Sequence, residues 1–401
     1  MITSSVFAAR RRQFIDTLHN EIIVVCGYDA MQLSADMAAP FRQQSVFHWL
    51  VGIDEPGWKY IVVDGNEYLV QPERSETQLI FEGGVTQESA TDISGVELVV
   101  SWDEAQKLLT KASTTHNTVH TLGDDVYTDS YDFHENPSRI NATQWLKEQF
   151  KEVSDCWPVA KKLMAIKDEA AIEELKKAIA ISEKAFEATY KNLQSAGYEY
   201  EIEADLTYNF RKQGADGEAY ETIVAAGENA CTLHYVKNNS QLPGNGLLLI
   251  DAGALVDGYA ADITRTYAIG TPTDRQVAVH KAVETAHFKI IDLIKPGLNF
   301  IDYQQLVDEI MKDALIGLNL LKSHDDEKTY RTYFPHAISH GLGLDVHESL
   351  GGYKEFRPGM VLTVEPGIYI TEEGIGVRIE DDILVTEDGH LNLSSGLPTS
   401  L

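Results

Sequence analysis

The sequence is poor in cysteine and has no long apolar run. Its 401 residues include only 3 cysteines, Cys26, Cys156 and Cys231. An odd number of widely separated cysteines forms neither a disulfide framework nor a CxxC metal site. No apolar stretch approaches the ~18 residues that cross a membrane, and no export-signal segment follows the arginines at positions 10–12. We therefore expect a cytoplasmic protein without a membrane partner.

Positive charge is also scarce. The chain has 33 Lys and Arg against 62 Asp and Glu, which gives a formal net charge of −29 at pH 7. A surface that binds nucleic acid needs clustered basic side chains, and no basic run is longer than the three arginines at 10–12. The composition therefore argues against nucleic acid as a partner. An apolar fraction of 43% with 18 Tyr and 13 Phe also excludes a disordered chain.

The chain divides into two predicted domains of mixed α/β character, 1–158 and 159–401. In the first, the pattern predicts a charged helix over 5–19, a buried strand over 21–26 and apolar strands over 47–52 and 59–63. In the second, long amphipathic helices are predicted over 168–194, with Asp168 as N-cap, and over 274–294. His280 and His287 share one face of the later helix. No carboxylate lies near them in a suitable position, so we expect partly exposed side chains rather than metal ligands.

A buried strand in the second domain ends in a carboxylate. Gly246–Ala252 contains Asp251, the turn signal Asp257-Gly258 follows, and the next strand carries Asp262. If Asp257-Gly258 is a two-residue hairpin loop, Asp251 faces residue 264 and Asp262 faces residue 253. The two aspartates are then diagonal neighbours on one face, with backbones about 7–8 Å apart. Both side chains can reach one small cluster of ions.

The same construction recurs downstream. An apolar stretch over 360–364 leads into Glu365, a turn signal follows at 373–374, and the next strand carries Glu380. A two-residue loop there places Glu380 opposite residue 367 and Glu365 opposite residue 382. This repeats the diagonal offset of the first hairpin. The sequence therefore predicts a pseudo-repeat that presents four carboxylates from paired hairpins.

Acidic residues on buried strands require compensation, because an unpaired buried carboxylate is costly. Two divalent cations would balance four carboxylates in formal charge. The alternative is that the carboxylates lie in loops at the strand ends or form salt bridges with Arg265 and Arg378. For one hairpin the two interpretations are balanced, whereas two hairpins with matched geometry favour a metal site.

Histidines accompany both hairpins. His234 and His347 precede the two carboxylate strands at similar distances, and His336 and His340 lie near His347 in the segment FPHAISHGLGLDVHE. The glycines at 341 and 343 suggest a flexible stretch. A histidine added to four carboxylates gives an oxygen-rich site, which suits Mn²⁺, Co²⁺, Fe²⁺ or Zn²⁺ better than a thiolate site would.

At these residues the sequence resembles the pita-bread metallopeptidases, which include aminopeptidase P, proline dipeptidase and, more distantly, methionine aminopeptidase. The resemblance is carried by YETIVAAGENACTLHY, LLLIDAG with GYAADITRTY, HAISHGLGLDVHE, VLTVEPGIY and GVRIEDDILVTEDG. A weaker similarity over 41–56 concerns the creatinase-type domain of Xaa-Pro peptidases. The resemblance implies an α/β (α+β) protein with a creatinase-like domain at 1–158 and a pita-bread catalytic domain at 159–401.

The resemblance also implies a metal site with two divalent ions, Mn²⁺ in the first place, with Co²⁺, Zn²⁺ or Fe²⁺ as alternatives. Asp251 would bind one metal, His340 and Glu365 would complete the other, and Asp262 and Glu380 would bridge both. A water or hydroxide between the ions would be the nucleophile, with its pKa lowered by the paired charges. Glu365 matches the residue that shuttles its proton.

Further residues acquire roles through the same resemblance. His234 and His347 match positions that contact the substrate carbonyl or stabilise the tetrahedral intermediate. His336 matches a histidine that lines the pocket on the proline side. Arg378 and Tyr220 match residues that orient the ligand carboxylates.

The motifs together predict a dinuclear metallo-exopeptidase that hydrolyses the N-terminal Xaa-Pro bond of dipeptides or short peptides through a metal-bridging hydroxide. The alternatives are a methionine aminopeptidase-like peptidase, a creatinase-like enzyme that works without metal and, in another class, a non-catalytic pita-bread binding protein. The complete ligand set argues against the last two. The N-terminal domain argues against a methionine aminopeptidase, because free-standing enzymes of that type lack it.

The choice between dipeptidase and aminopeptidase P stays open at this point. A dipeptide's terminal carboxylate needs a cationic clamp, which Arg331, Arg357 or a partner subunit could supply. The short gap between Glu348 and Glu365 argues against one prolidase subtype that carries a long insertion there. The expected partners are short proline-containing peptides and further copies of the chain, in a homodimer or homotetramer.

Overall fold

The computed structural model describes residues 2–19, 21–123 and 131–401. Its internal contacts divide into two compact units, Met1–Met164 and Ala165–Leu401. The boundary predicted after residue 158 falls inside the helix Trp157–Met164, whose apolar side chains Trp157, Ala160 and Met164 are buried. This helix belongs to the first unit, so the division lies after it rather than within it.

The first unit contains a six-stranded mixed sheet with helices around it. The helices are α1 (Ser4–Thr17), α2 (Ser45–Val51), α3 (Glu76–Glu82), α4 (Gln87–Ser94), α5 (Trp102–Ala112), α6 (Pro137–Gln149) and α7 (Trp157–Met164). The strands are β1 (Ile22–Cys26), β2 (Gln32–Ser34), β3 (Met37–Ala38), β4 (Lys59–Val63), β5 (Asn66–Val70), β6 (Leu98–Val100), β7 (Thr118–Thr121) and β8 (Glu152–Asp155). The sheet order is β6-β5-β4-β1-β7-β8, with β2 and β3 paired separately.

One predicted strand of this unit is a helix. The strands expected over 21–26 and 59–63 are confirmed as β1 and β4, whereas the segment 47–52 belongs to α2. The Gln44 side chain caps α2 by accepting a 2.7 Å hydrogen bond from the Phe47 N–H, and Gly52 ends it in the left-handed conformation. Nearly every residue of α2 is buried. A short buried helix has the same continuous apolar pattern as a buried strand, so the sequence prediction was wrong.

The second unit combines five helices with four small sheets among the residues that the structure describes. The helices are α8 (Glu169–Asn192), α9 (Glu199–Lys212), α10 (Asp274–Ile291), α11 (Phe300–Gly317) and α12 (Glu327–Tyr333). The strands are β9 (Gly217–Glu218), β10 (Ile223–Ala226), β11 (Gly246–Ala252), β12 (Ala254–Val256), β13 (Tyr259–Ala260), β14 (Ile263–Ile269), β15 (Val361–Val364), β16 (Gly367–Ile370), β17 (Ile375–Arg378), β18 (Asp381–Val385) and β19 (His390–Asn392). The sheet orders are β10-β11-β14, β13-β12-β9, β15-β18-β19 and β16-β17.

The predicted long helices are confirmed as α8 and α10. The Asp168 carboxylate accepts a 2.8 Å hydrogen bond from the Ala171 N–H and caps α8 as expected. The apolar stripe of α8, with Ile179 and Phe186, packs into one core of the unit together with strands of the first hairpin. Helix α10 packs into the second core together with β15–β18. Each carboxylate hairpin therefore rests on its own helix-backed core.

The two histidines of α10 are buried rather than partly exposed. His280 is 3% and His287 0% exposed, and His287 Nε2 lies 3.4 Å from Asp381 Oδ2 in β18. Loss of hydration lowers the pKa of His287 to about 4. The expectation was wrong because the carboxylate beside His287 comes from a strand that is distant in sequence.

No helix in the described part of the chain is long and apolar enough to span a membrane.

The burial of His287 makes the stability of the second unit sensitive to acid. Because the pKa of His287 is near 4 in the fold and near 6.5 when exposed, the unfolded chain alone takes up this proton between those values. Stability is therefore fully present above pH 6.5 and is lost as the pH falls, by about 1.4 kcal/mol per pH unit for such a group. We expect His287→Leu to show a smaller fall in Tm between pH 7 and pH 5 than the wild type.

Thermal unfolding followed by circular dichroism at both pH values measures this difference. His324→Leu is the matched control, because His324 is exposed beside Asp313 and should keep the wild-type fall. An unchanged pH dependence in His287→Leu would contradict the assignment.

Candidate metal centre

The first hairpin has the predicted register. Val256 pairs with Tyr259, which leaves Asp257 and Gly258 as a two-residue loop, both with positive φ, of 48° and 81°. In the longer strands β11 and β14, Asp251 pairs with Thr264. Asp262 precedes β14, so the two aspartates are diagonal neighbours as the sequence indicated.

The second hairpin has a different register from the predicted one. Ile370 pairs with Ile375 and Val364 with Asp381, so Glu365 falls opposite Glu380 instead of diagonal to it. The loop contains four residues, a 3₁₀ turn over Thr371–Glu373 followed by Gly374 in the left-handed conformation. The Glu-Gly signal therefore marks the end of the loop rather than its centre. The predicted equal offset of the two hairpins was wrong.

The two hairpins are joined at Thr264 and Glu380. The Glu380 N–H donates to the Thr264 carbonyl at 3.0 Å, and the Thr264 hydroxyl donates to Glu380 Oε2 at 2.6 Å. On the outer side, Arg265 Nη1 donates to the Glu380 carbonyl at 2.6 Å. Backbone and side-chain bonds together hold the carboxylates of one hairpin against those of the other.

The ligand atoms of Asp262, His340 and Glu380 all lie within 4.8 Å of one another, a spacing that fits one metal ion. His340 Nε2 is 3.6 Å from Asp262 Oδ2 and 3.4 Å from Glu365 Oε1. Thr363 ties two of these groups together, because its hydroxyl accepts from the His340 N–H at 3.2 Å and donates to Glu365 at 3.3 Å. The donors therefore point into one common space.

The charges of this space fit cations. Loss of hydration and the nearby carboxylates raise the pKa of Asp262 and Glu380 well above the ordinary range, and that of Glu365 to about 8. Loss of hydration also lowers the pKa of His340 to about 4, which keeps its imidazole neutral and able to bind a metal. A crowded set of carboxylates with a neutral histidine is the donor chemistry of a divalent metal site.

The negative charge of Asp251 is compensated by an arginine side chain. Arg378 Nη2 donates to Asp251 Oδ2 at 2.5 Å, so the predicted alternative of a salt bridge holds for this pair. Arg265, the other arginine considered, contacts Asp381 instead of any of the four carboxylates. The Tyr220 hydroxyl lies 2.6 Å from Asp251 Oδ1 and 2.5 Å from Asp262 Oδ1. Arg378 and Tyr220 thus fix the orientation of these carboxylates.

His336 borders the same space. Its Nδ1 lies 3.5 Å from Glu365 Oε2, and its Nε2 is 2.8 Å from the Tyr369 hydroxyl. Tyr369 in turn accepts from Arg378 Nη1 at 2.9 Å. A continuous network therefore runs from Asp251 through the arginine and the tyrosine to His336.

His234 and His347 lie on the open side. Both residues are exposed, and their ring centroids are 6.5 Å apart. The His347 ring also contacts the ring of His340 edge-on, with centroids 4.5 Å apart. Partial loss of hydration and the neighbouring His234 lower the pKa of His347. The two rings can therefore donate hydrogen bonds to a molecule that enters from solvent.

Sequence reasoning missed several polar residues of the site. Tyr369 lies in the VEPGIY motif, four residues after Glu365, and Thr264 and Thr363 each bond one glutamate. Asp382 accepts a 3.2 Å hydrogen bond from the Asp262 N–H. The two threonines could have been identified from the sequence, since each lies two residues from a predicted ligand and therefore on the same face of an extended strand. The contact of Thr264 with Glu380, however, depends on how the two hairpins meet.

Comparison with known proteins gives matches over both units. The model of metallopeptidase family M24 matches residues 173–387, and that of the aminopeptidase P N-terminal domain matches residues 7–120. The chain is 31% identical to the Xaa-Pro aminopeptidase of Escherichia coli (strain K12), over 99% of this chain and 96% of that protein. It is 31% identical to the Xaa-Pro dipeptidase of Pyrococcus furiosus, over 86% of this chain and 90% of that protein.

Solved structures are similar over the whole chain. Aminopeptidase P from E. coli with the inhibitor Pro-Leu has a TM-score of 0.89 at 29% identity, covering 100% of this chain and 96% of that chain. The zinc-substituted E. coli enzyme in complex with product has a TM-score of 0.88 at the same identity and coverage. The predicted fold, an α/β domain followed by a pita-bread domain, is confirmed. The chain that carries this carboxylate and histidine site belongs to metallopeptidase family M24.

Proposed function

We propose that this protein is a metal-dependent exopeptidase that hydrolyses the N-terminal Xaa-Pro bond of short peptides. The observation that carries the proposal is the convergence of Asp262, His340 and Glu380 on one metal-sized space. Relatives named Xaa-Pro aminopeptidase and Xaa-Pro dipeptidase support the substrate class.

The proposed cofactor is a pair of divalent cations, Mn²⁺ in the first place. The expected ligands are the five residues Asp251, Asp262, His340, Glu365 and Glu380, with Asp262 and Glu380 between the two ions. Two-metal sites of this kind activate water as a nucleophile and polarise the scissile carbonyl. Four ionised carboxylates would balance two divalent cations in formal charge, and Arg378 pairs with only one of the four.

The protein's own residues would move protons and bind the peptide. Glu365, whose carboxylate lies 3.4 Å from His340 Nε2 and 3.5 Å from His336 Nδ1, is the proposed proton shuttle. His234 and His347, on the open side, would donate hydrogen bonds to the carbonyl oxygen of the scissile bond. His336, held by Tyr369, would border the pocket for the proline side chain.

Arg378 and Tyr220 would act on the ligands rather than on the peptide. Both bond Asp251, and Tyr220 also reaches Asp262, so they restrict the rotation of the two carboxylates. Mutation of residues that orient metal ligands in this way typically costs about 10- to 100-fold in metal affinity or activity.

We further propose a preference for peptides longer than a dipeptide. A dipeptidase needs a cation for the terminal carboxylate, and the two arginines considered for it have partners. Arg331 pairs with Glu327 and Asp308, and Arg357 pairs with Glu355. This supports an aminopeptidase P activity. A cytoplasmic location and assembly into a homodimer or homotetramer stay predictions.

The first test compares hydrolysis of Ala-Pro and Ala-Pro-Ala by the Mn²⁺-loaded protein, with an EDTA-treated sample as control. We expect turnover of the tripeptide and none after EDTA treatment. Turnover of the dipeptide alone would contradict the length preference. Hydrolysis of neither peptide at full metal occupancy would overturn the proposed function.

Glu380→Ala is expected to release both metal ions, because the residue lies at the junction of the hairpins and is proposed to bridge them. Metal analysis by mass spectrometry after dialysis measures the content per chain. Glu387→Ala is the matched control, since Glu387 is an exposed glutamate in the turn after β18. Full metal content in Glu380→Ala would contradict the bridging role.

His347→Ala is expected to lower kcat by about 100- to 1,000-fold, as does the loss of one hydrogen-bond donor to a developing oxyanion, while the metal content stays unchanged. Steady-state kinetics and metal analysis of the same preparation test both statements. A variant without metal would instead assign His347 to the ligand set.

A further inference from the structure

A buried ion pair lies behind the segment 340–348, which carries His340 and His347. The side chains of Lys167 and Glu348 are only 4% and 6% exposed, and the ammonium group contacts the carboxylate directly. Removing one partner of such a pair leaves an uncompensated buried charge, which is strongly destabilising. Glu348 follows His347 directly in the chain, so the location of this ion pair requires an explanation.

Glu348 organises the turn that contains it. Its Oε2 accepts a 3.2 Å hydrogen bond from the Leu344 N–H, and its own N–H donates to the Gly341 carbonyl at 2.8 Å. A Cβ at Gly343 would overlap the Glu348 carboxylate, and one at Gly341 would overlap the Glu348 carbonyl. The glycines therefore make room for Glu348. The sequence suggested a flexible stretch at these glycines, whereas the close approach of Glu348 accounts for them in the structure.

Lys167 connects this turn to β15, the strand that directly precedes Glu365. Its N–H donates a 2.8 Å hydrogen bond to the carbonyl of Gly359, just before β15, while its side chain reaches Glu348. On the opposite side, the Ala260 N–H donates to the Gly343 carbonyl at 2.9 Å. The turn is thus held between the two carboxylate hairpins, with the ion pair as its charged contact.

The ring of His347 has no fixation of its own. Within the described part of the chain it makes no hydrogen bond, and its centroid lies 4.5 Å from that of the His340 ring and 6.5 Å from that of the His234 ring. His340 differs, because its Nδ1 is 3.0 Å from the Gly341 carbonyl. The backbone at 347 and 348, which the hydrogen bonds of Glu348 hold, therefore fixes the point from which the His347 side chain projects.

We propose that Lys167, acting through Glu348, is a positioning residue that holds His347 in place for the substrate. The proposal rests on the proposed function only in the role of His347 as a donor to the peptide carbonyl. The Lys167 ammonium group contacts Glu348, the residue after His347, so the proposed effect of Lys167 on His347 passes through this turn. A misplacement of about 1 Å that is caused by a mutation away from the reacting atoms can lower activity about 100-fold.

The test is a double-mutant cycle between Lys167→Met and His347→Ala. We expect Lys167→Met alone to lower kcat by about 10- to 100-fold with a smaller change in KM. In the His347→Ala background the same change should have no further effect, because the residue that it positions is gone. Lys167→Arg, which keeps the charge, should restore most of the loss. An equal fall of kcat in both backgrounds would overturn the proposal.

Two further variants keep the test interpretable. Glu348→Gln retains the hydrogen bond to Leu344 and the side-chain volume. If Lys167→Met does not fold, Glu348→Gln replaces it in the cycle and should lower kcat to a similar extent. Lys177→Met is the matched control, because Lys177 pairs with Glu174 in α8 with its side chain 50% exposed. It should leave kcat unchanged.

A readout without catalysis separates this proposal from the proposed function. The ring ¹⁵N resonances of His347, assigned by their absence in His347→Ala, should shift in Lys167→Met and stay unchanged in Lys177→Met. A shift in a protein that hydrolyses neither peptide would support the positioning and reject the proposed function. An active wild type with unshifted resonances in Lys167→Met would reject the positioning alone.

Discussion

The second unit has to accommodate several carboxylates that face one another in a poorly hydrated space. Asp262 and Glu380 are buried, and loss of hydration together with neighbours of the same charge raises the pKa of each. Such an arrangement is unfavourable by itself, and a single arginine, Arg378, compensates one member of the set. Cations remove this cost, so metal binding at the site is coupled to its stability.

The surrounding structure fixes the carboxylates before any cation arrives. Thr264 and Thr363 each bond one glutamate, and Arg265 binds both the Glu380 carbonyl and the Asp381 carboxylate. Arg265 also donates to the carbonyls at 397 and 398, which draws the end of the chain against the site. Ligands held by strands and satisfied partners need little reorganisation when a metal binds.

Local signals in the sequence predicted what depends on local structure. Asp257-Gly258 gave the register of the first hairpin correctly, because a two-residue loop fixes the pairing of its flanking strands. The register of the second was wrong, because the 3₁₀ turn at Thr371–Glu373 lengthens the loop without a distinct sequence pattern. The burial of His287 and the meeting of Thr264 with the second hairpin depend on tertiary packing, and periodicity does not carry that information.

His234 and His347, on the open side of the site, are placed in a different way from the expected metal ligands. A histidine ring can be held by a hydrogen bond at one nitrogen while the other nitrogen stays free for a substrate or a metal, and the Nδ1 of His340 has such a contact with the Gly341 carbonyl. His347 is exposed and makes no such bond with any residue that the structure describes, whereas Glu348, the next residue, is buried and ion-paired. The placement of His347 on the open side of the site therefore depends on the backbone at 347 and 348. This explains why a costly buried ion pair lies beneath this turn rather than in either apolar core.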